Sequence, residues 1–93
     1  MAAIRKRTEN FIATEVDDEI LIVDLDGGEL FSLSGTGRAI WLAIDGSKDA
    51  QAIAAEMVAR HDGDAAVIAQ DVDALVAELE RAALVERVAE IGF

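Results

Sequence analysis

From Ile20 to Trp41 the chain reads ILIVDLDGGELFSLSGTGRAIW, and the apolar positions in this stretch change period once. Ile20 to Leu25 is an unbroken run of β-branched and aliphatic residues around one aspartate, which suits a pleated strand. Asp26-Gly27 interrupts it with a hairpin signal, since the turn that pair favours needs positive φ. Glu29 to Leu33 is expected to return antiparallel. From Gly35 the period becomes helical. Ile40, Trp41 and Ile44 form a stripe, Ser34 or Thr36 can cap its start, and Gly46 stands where a helix from about 35 to 45 should end.

The flanking patterns extend this unit in both directions. Phe11 to Val16 reads as a strand before the hairpin, with Phe11 and Ala13 on one face and Asp17-Asp18 as the turn. Alternation puts Leu21, Val23 and Leu25 on one face of the next strand and Ile20 and Ile22 on the other. Phe31 and Leu33 lie together on the following strand, with Leu30 opposite. One face is expected to pack on helices. The other is expected to carry Ile20, Ile22 and Leu30, more apolar surface than a solvated face needs. A second helix opens after Ser47 or Asp49, turns Ile53 and Met57 inward, and ends near His61, with Gly63 just beyond. Asp64 can cap a third and longest helix, roughly 65 to 82, with apolar positions Ile68, Val72, Leu75, Val76 and Leu79. Leu84 and Val85 are expected to fold back onto the core. Residues 1–9 read as a loose arm and residues 86–93 as a tail with Val88, Ile91 and Phe93. The order is an N-terminal three-stranded antiparallel sheet followed by three helices. The fold class is therefore α+β, in a single domain over 1–93 with its core at about 11–85.

Composition narrows the function classes. An apolar fraction of 53% supports a folded domain rather than a disordered one. No cysteine is present, so disulfides, thiolate metal sites and thiol nucleophiles are excluded. No apolar run approaches the roughly 18 residues that span a bilayer, and the basic start MAAIRKRTEN lacks an apolar signal core. These features point to a cytoplasmic chain with no membrane association. Nineteen acidic against eight basic residues give a formal charge of −11, which repels phosphate backbones and anionic lipid and favours basic partners.

The candidate chemistry is sparse. Gly35-Thr36-Gly37 at a helix start resembles half of a dinucleotide fingerprint, but Ile40 stands where the third glycine would be, and helices rather than a βαβ unit follow. The glycines are better read as easing the sharp passage from sheet to helix. His61 is the single histidine and, without thiolate or imidazole neighbours, cannot build an ordinary zinc site. The serines at 32, 34 and 47 lack a base other than His61, so nucleophilic catalysis is not expected. Trp41 reads as core. Phe31 reads as core at the rim of the sheet. Asp71 and Glu78 share a helix side with Val67 and Ala74, as a solvated face or as a contact for a basic peptide. No enzyme activity, cofactor or metal is expected.

Two binding modes remain open from the residues alone. The last two helices around Asp62-Gly63 look like a helix-turn-helix, and with the sheet they make a winged helix. DNA binding would need a basic third helix, whereas this one carries Asp71, Asp73, Glu78 and Glu80 against Arg81. The other mode is peptide capture: a short edge strand leaves N–H and C=O groups that an extended peptide can complete. A homodimer that covers the same edge, acting as a plain dimerisation module, is the third possibility.

A set of ordered residues resembles a known family. It comprises Val23-Asp24-Leu25 before a glycine turn, Leu33-Ser34 followed by Thr36-Gly37, Ile40-Trp41, Asp45-Gly46, the Asp-rich entry to the third helix, Asp71-Val72 and Leu84. From about Phe11 to Val85 the chain resembles the PqqD-like precursor-peptide recognition elements of ribosomal peptide modification. That resemblance implies a winged helix-turn-helix of three strands and three helices. It implies a non-catalytic adaptor that binds the leader region of a precursor peptide as an added strand, against the third strand and beside the third helix. It also implies presentation of that peptide to a modifying enzyme such as a radical SAM protein, a cyclase or a protease. Carried onto this chain, the strand residues are Glu29, Leu30, Phe31, Ser32 and Leu33, and the helix wall draws on Asp71, Val72, Leu75, Val76 and Glu78. Basic leader residues would meet Glu29, Asp71 or Glu78.

Overall fold

The structure is a computed structural model that describes residues 2–60 and 63–89. The reading of His61 and Asp62, and of the tail from residue 90 onward with Ile91 and Phe93, lies outside the described residues. The architecture is α+β. Strands β2 (Phe11–Val16), β3 (Glu19–Asp24) and β4 (Leu30–Leu33) form an antiparallel sheet in the order β2-β3-β4. Helices α1 (Gly35–Ala43), α2 (Ala50–Arg60) and α3 (Ala65–Arg81) follow. This is the sheet-then-helices arrangement of a winged helix-turn-helix.

The elements start and stop for local reasons. Asp17 takes a positive φ of 54° in the β2–β3 turn. The β3–β4 turn is wider than a two-residue hairpin, and its positive φ (73°) falls on Gly28 rather than on Asp26-Gly27. The buried Asp24 carboxylate accepts from the Asp26 N–H at 3.0 Å, and the Asp24 carbonyl accepts from Gly28 at 2.8 Å. These bonds stabilise the five-residue loop in place of a tighter turn. Asp64 caps α3, accepting from the Ala66 N–H at 2.8 Å, and Asp49 accepts from Ala52 at 2.7 Å at the start of α2. Ser34 holds the N-cap position of α1 without a side-chain bond.

The core joins Ile20 and Ile22 of β3 to Ile40, Trp41 and Ile44, to Ile53 and Met57 of α2, and to Ile68, Val72, Val76 and Leu79 of α3. Phe11 meets the Trp41 ring edge-on at 5.2 Å between centroids, a favoured aromatic geometry. Ile20 and Ile22 are thus inward, on the face shared with Phe31 and Leu33. The exposed face instead carries Leu21, Val23 and Leu30. The register explains the correction: Ile22 pairs with Phe31 and Val23 with Leu30, and directly paired residues share a face.

The termini differ most from expectation. Ala2–Lys6 forms β1 and Val85–Ala89 forms β5, and the two pair antiparallel with Ile4 opposite Arg87. The loose arm and the tail are therefore, through residue 89, a two-stranded ribbon. Ile4 is fully buried with Leu84 and Val85, and its N–H and C=O bond to Lys48 and Gly46. Lys6 sets its ammonium 4.6 Å from the centroid of the Trp41 ring. Desolvation there holds its pKa below the ordinary lysine value, against an opposing pull from Asp45.

Replacing Ile4 by Ala removes buried methyl groups from the ribbon and should cost about 2–4 kcal/mol. Urea unfolding should show the midpoint lowered with an unchanged slope. An unchanged midpoint would mean that the ribbon does not belong to the cooperative unit.

Candidate functional site: an open strand edge beside α3

The edge of β4 can be read bond by bond. The Asp24 N–H donates to the Glu29 carbonyl at 2.8 Å, so residues 24 and 29 form a bonded pair. Bonded and non-bonded pairs alternate along an antiparallel ladder, which makes 22/31 and 20/33 the bonded pairs of the β3–β4 register. Phe31 and Leu33 therefore spend their main-chain groups on β3. Leu30 and Ser32 turn theirs outward, and no strand of the described residues pairs with that side. Leu30 and Ser32 also have exposed side chains, whereas Phe31 and Leu33 are half-buried and lean toward the helices.

The wall opposite comes from one side of α3. Val72 and Val76 are fully buried and pack in the core, so they cannot line an accessible groove. Leu75 is half-buried at the border of the core, and Asp71 and Glu78 are exposed. Positions 71, 75 and 78 are four and three residues apart and so share a helix face. The structure brings Leu33 and Leu75 together across Gly37: a Cβ on Gly37 would lie 3.7 Å from Leu33 Cδ2 and 3.9 Å from Leu75 Cδ2. Glu29, Leu30 and Ser32 stand on the rim. Leu33 and Leu75, on either side of Gly37, form the apolar floor.

Gly37 was not expected at the site. Of the two glycines in Gly35-Thr36-Gly37, only Gly35 needs the permissive backbone, with φ at 55°. Gly37 keeps a helical backbone, and its missing side chain is what leaves the notch between strand and helix. The signal was a glycine inside a helical pattern with no turn to make. Among the described residues no cluster of His, Cys, Asp or Glu could hold a metal ion, and no helix is long and apolar enough to cross a membrane.

Such a site offers two outward N–H and C=O pairs, an apolar floor and an acidic helix flank, which is what an extended, partly basic peptide requires. Residues 19–85 match the family described as Coenzyme PQQ synthesis protein D (PqqD), and the chain belongs to that family. Two solved structures share its fold. One is TbiB1 in complex with the TbiA(beta) leader peptide, with a TM-score of 0.78 and 22% identity, covering 92% of this chain and 99% of that one. The other is lasso peptide synthetase B1 complexed with the leader peptide, with a TM-score of 0.76 and 18% identity, over 89% of this chain and 96% of that one. A search of curated proteins finds no match.

Because the nearest atoms to a Cβ at Gly37 are at ordinary contact distance, Gly37→Ala should not clash. It should stabilise the fold by about 0.5–1 kcal/mol through helix propensity. Thermal unfolding should show a raised midpoint. A lowered one would mean that the notch is tighter than its geometry indicates.

Proposed function

We propose that the chain is a non-catalytic adaptor that captures the leader region of a ribosomally made precursor peptide by strand addition to β4. The observation that carries this reading is the vacant β4 edge, with Leu30 and Ser32 turned outward beside the Leu33–Gly37–Leu75 floor. Membership of the PqqD family supports it, as does a fold shared with two chains solved with leader peptides.

In this reading the leader strand bonds to Leu30 and Ser32. Its residues opposite Phe31 and Leu33 point inward, so side chains two apart enter the groove toward Leu75. Apolar side chains at those positions supply most of the affinity, because each strand hydrogen bond only replaces one to water. Lys or Arg residues of the leader meet the exposed carboxylates of Glu29, Asp71 and Glu78. The held peptide is then presented to a modifying enzyme, such as a radical SAM protein, a cyclase or a protease, in the cytoplasm. Duplex DNA would meet the exposed acids Asp71, Asp73, Glu78 and Glu80 on α3, with Arg81 as the one cation there. It therefore gains little from counterion release.

Leu30→Pro removes an outward N–H and leaves the β3 ladder intact, a placement that edge strands tolerate. The variant should stay folded by circular dichroism yet lose at least about tenfold in affinity for the precursor leader, measured calorimetrically. Unchanged affinity in the folded variant would remove the reading. Val72→Ala should instead cost about 1.5–3 kcal/mol of stability, with affinity unchanged under conditions where it is folded. Titration of duplex DNA at physiological salt should show no saturable binding.

A further inference from the structure

The sheet has a second open edge, on β2. The Leu25 N–H donates to the Asn10 carbonyl at 2.9 Å, which fixes 12/23, 14/21 and 16/19 as the bonded pairs of the β2–β3 register. Phe11, Ala13 and Glu15 therefore turn their main-chain groups away from the sheet. β2 is six residues long with an unbroken register and neither Pro nor Lys, and its one charged side chain, Glu15, is already ion-paired with Arg38. Its side chains from Ile12 to Val16 are all exposed.

Beside this edge the helices leave a gap. Phe11 reaches Trp41, but Ala13 is too short to do so. An open cavity of about 160 Å³ remains, lined by Ala13, Thr14, Glu15, Ile20, Trp41 and Leu42. Leu42 stands on its rim, half exposed. The ion pair of Arg38 with Glu15 ties α1 to the strand. The far end of the strand is acidic. Asp17, Asp18 and Glu19 follow it, all three are exposed, and they make no ion pair among the described residues.

We propose that the β2 edge is a second strand-capture site, for an extended segment of another protein with Lys or Arg where it meets Asp17, Asp18 and Glu19 and an aliphatic side chain that enters the Trp41–Leu42 cavity. The acidic end selects this occupant over a second copy, which would bring another charge of −11 to the same edge. The site does not depend on the leader-peptide reading, because it lies across the sheet from β4. If both edges are filled, strand spacing puts the two captured segments about 19 Å apart. The chain would then be a bridge between two backbones.

Trp41 is the only tryptophan, so its emission reports the cavity without a label. The test uses the full chain and the synthetic probe Lys-Lys-Val-Thr-Leu-Thr-Val-Lys-Lys, with the same peptide bearing Glu for Lys as control. The basic probe should change Trp41 emission saturably and shift the amide resonances of Phe11, Ala13 and Glu15. It should bind more weakly at about 300 mM than at about 50 mM salt. Ala13→Pro, or Leu42→Asp should the former not fold, should weaken the Trp41 response by about tenfold or more, while Leu30→Pro, at the opposite edge, leaves the Trp41 response unchanged. The proposal is overturned if the emission does not change, if the shifts confine themselves to Leu30 and Ser32, or if the acidic control binds as well. A concentration-dependent dimer in sedimentation that Ala13→Pro dissolves would also overturn it, by giving the edge to a second copy.

Discussion

The alternation of main-chain hydrogen bonds along β3 governs what the rest of the molecule can do. Asp24 bonds to Glu29 on one side and Leu25 to Asn10 on the other, so even positions of β3 serve β4 and odd positions serve β2. β3 is saturated by this arrangement. Every second residue of each outer strand is left facing water. Those groups cost little while hydrated, and a peptide that replaces the water gains little from them individually. Affinity must then come from the apolar surface beside each edge. At β4 that surface is Leu33 and Leu75 on either side of Gly37.

Helix α3 is divided between a buried apolar stripe and an exposed acidic side. Ile68, Val72, Val76 and Leu79 form its buried stripe, and their packing places the helix. Leu75 sits at the border of that stripe. Asp71 and Glu78 lie one turn to either side of it and remain in solvent. A carboxylate in that position is cheap in the free protein and attracts a basic side chain whose apolar stem can lie on Leu75. The formal charge of −11 adds a long-range field of the same sign.

How much of this the sequence disclosed follows the range of each interaction. Strand β3, the three helices and the Asp64 cap depend on neighbours within a few residues, and their patterns were legible. So was the edge position of β4, because Leu30–Leu33 is followed at once by a helix. The β1–β5 ribbon was not legible: Ile4 and Arg87 are brought together only by the finished core, and neither segment alternates clearly enough to show a strand. The inward face of β3 was misread because Ile20, Ile22, Leu21 and Val23 are all aliphatic, and only the pairing with Phe31 and Leu33 decides between the faces. On α3 the residue types alone could not separate Val72 and Val76, which are fully buried, from Leu75, which stays half-buried at the border of the core. Gly37 was read only as easing the passage from sheet to helix, because its contribution is the absence of atoms between two other side chains.

Amide hydrogen exchange in the free chain addresses the vacancy of the β4 edge most directly. With that edge open, Leu30 and Ser32 should exchange close to the rate of unprotected amides, while Phe31 and Leu33, bonded to β3, exchange orders of magnitude more slowly. Protection of Leu30 and Ser32 comparable to that of their neighbours, in the monomer and without peptide, would contradict an open edge.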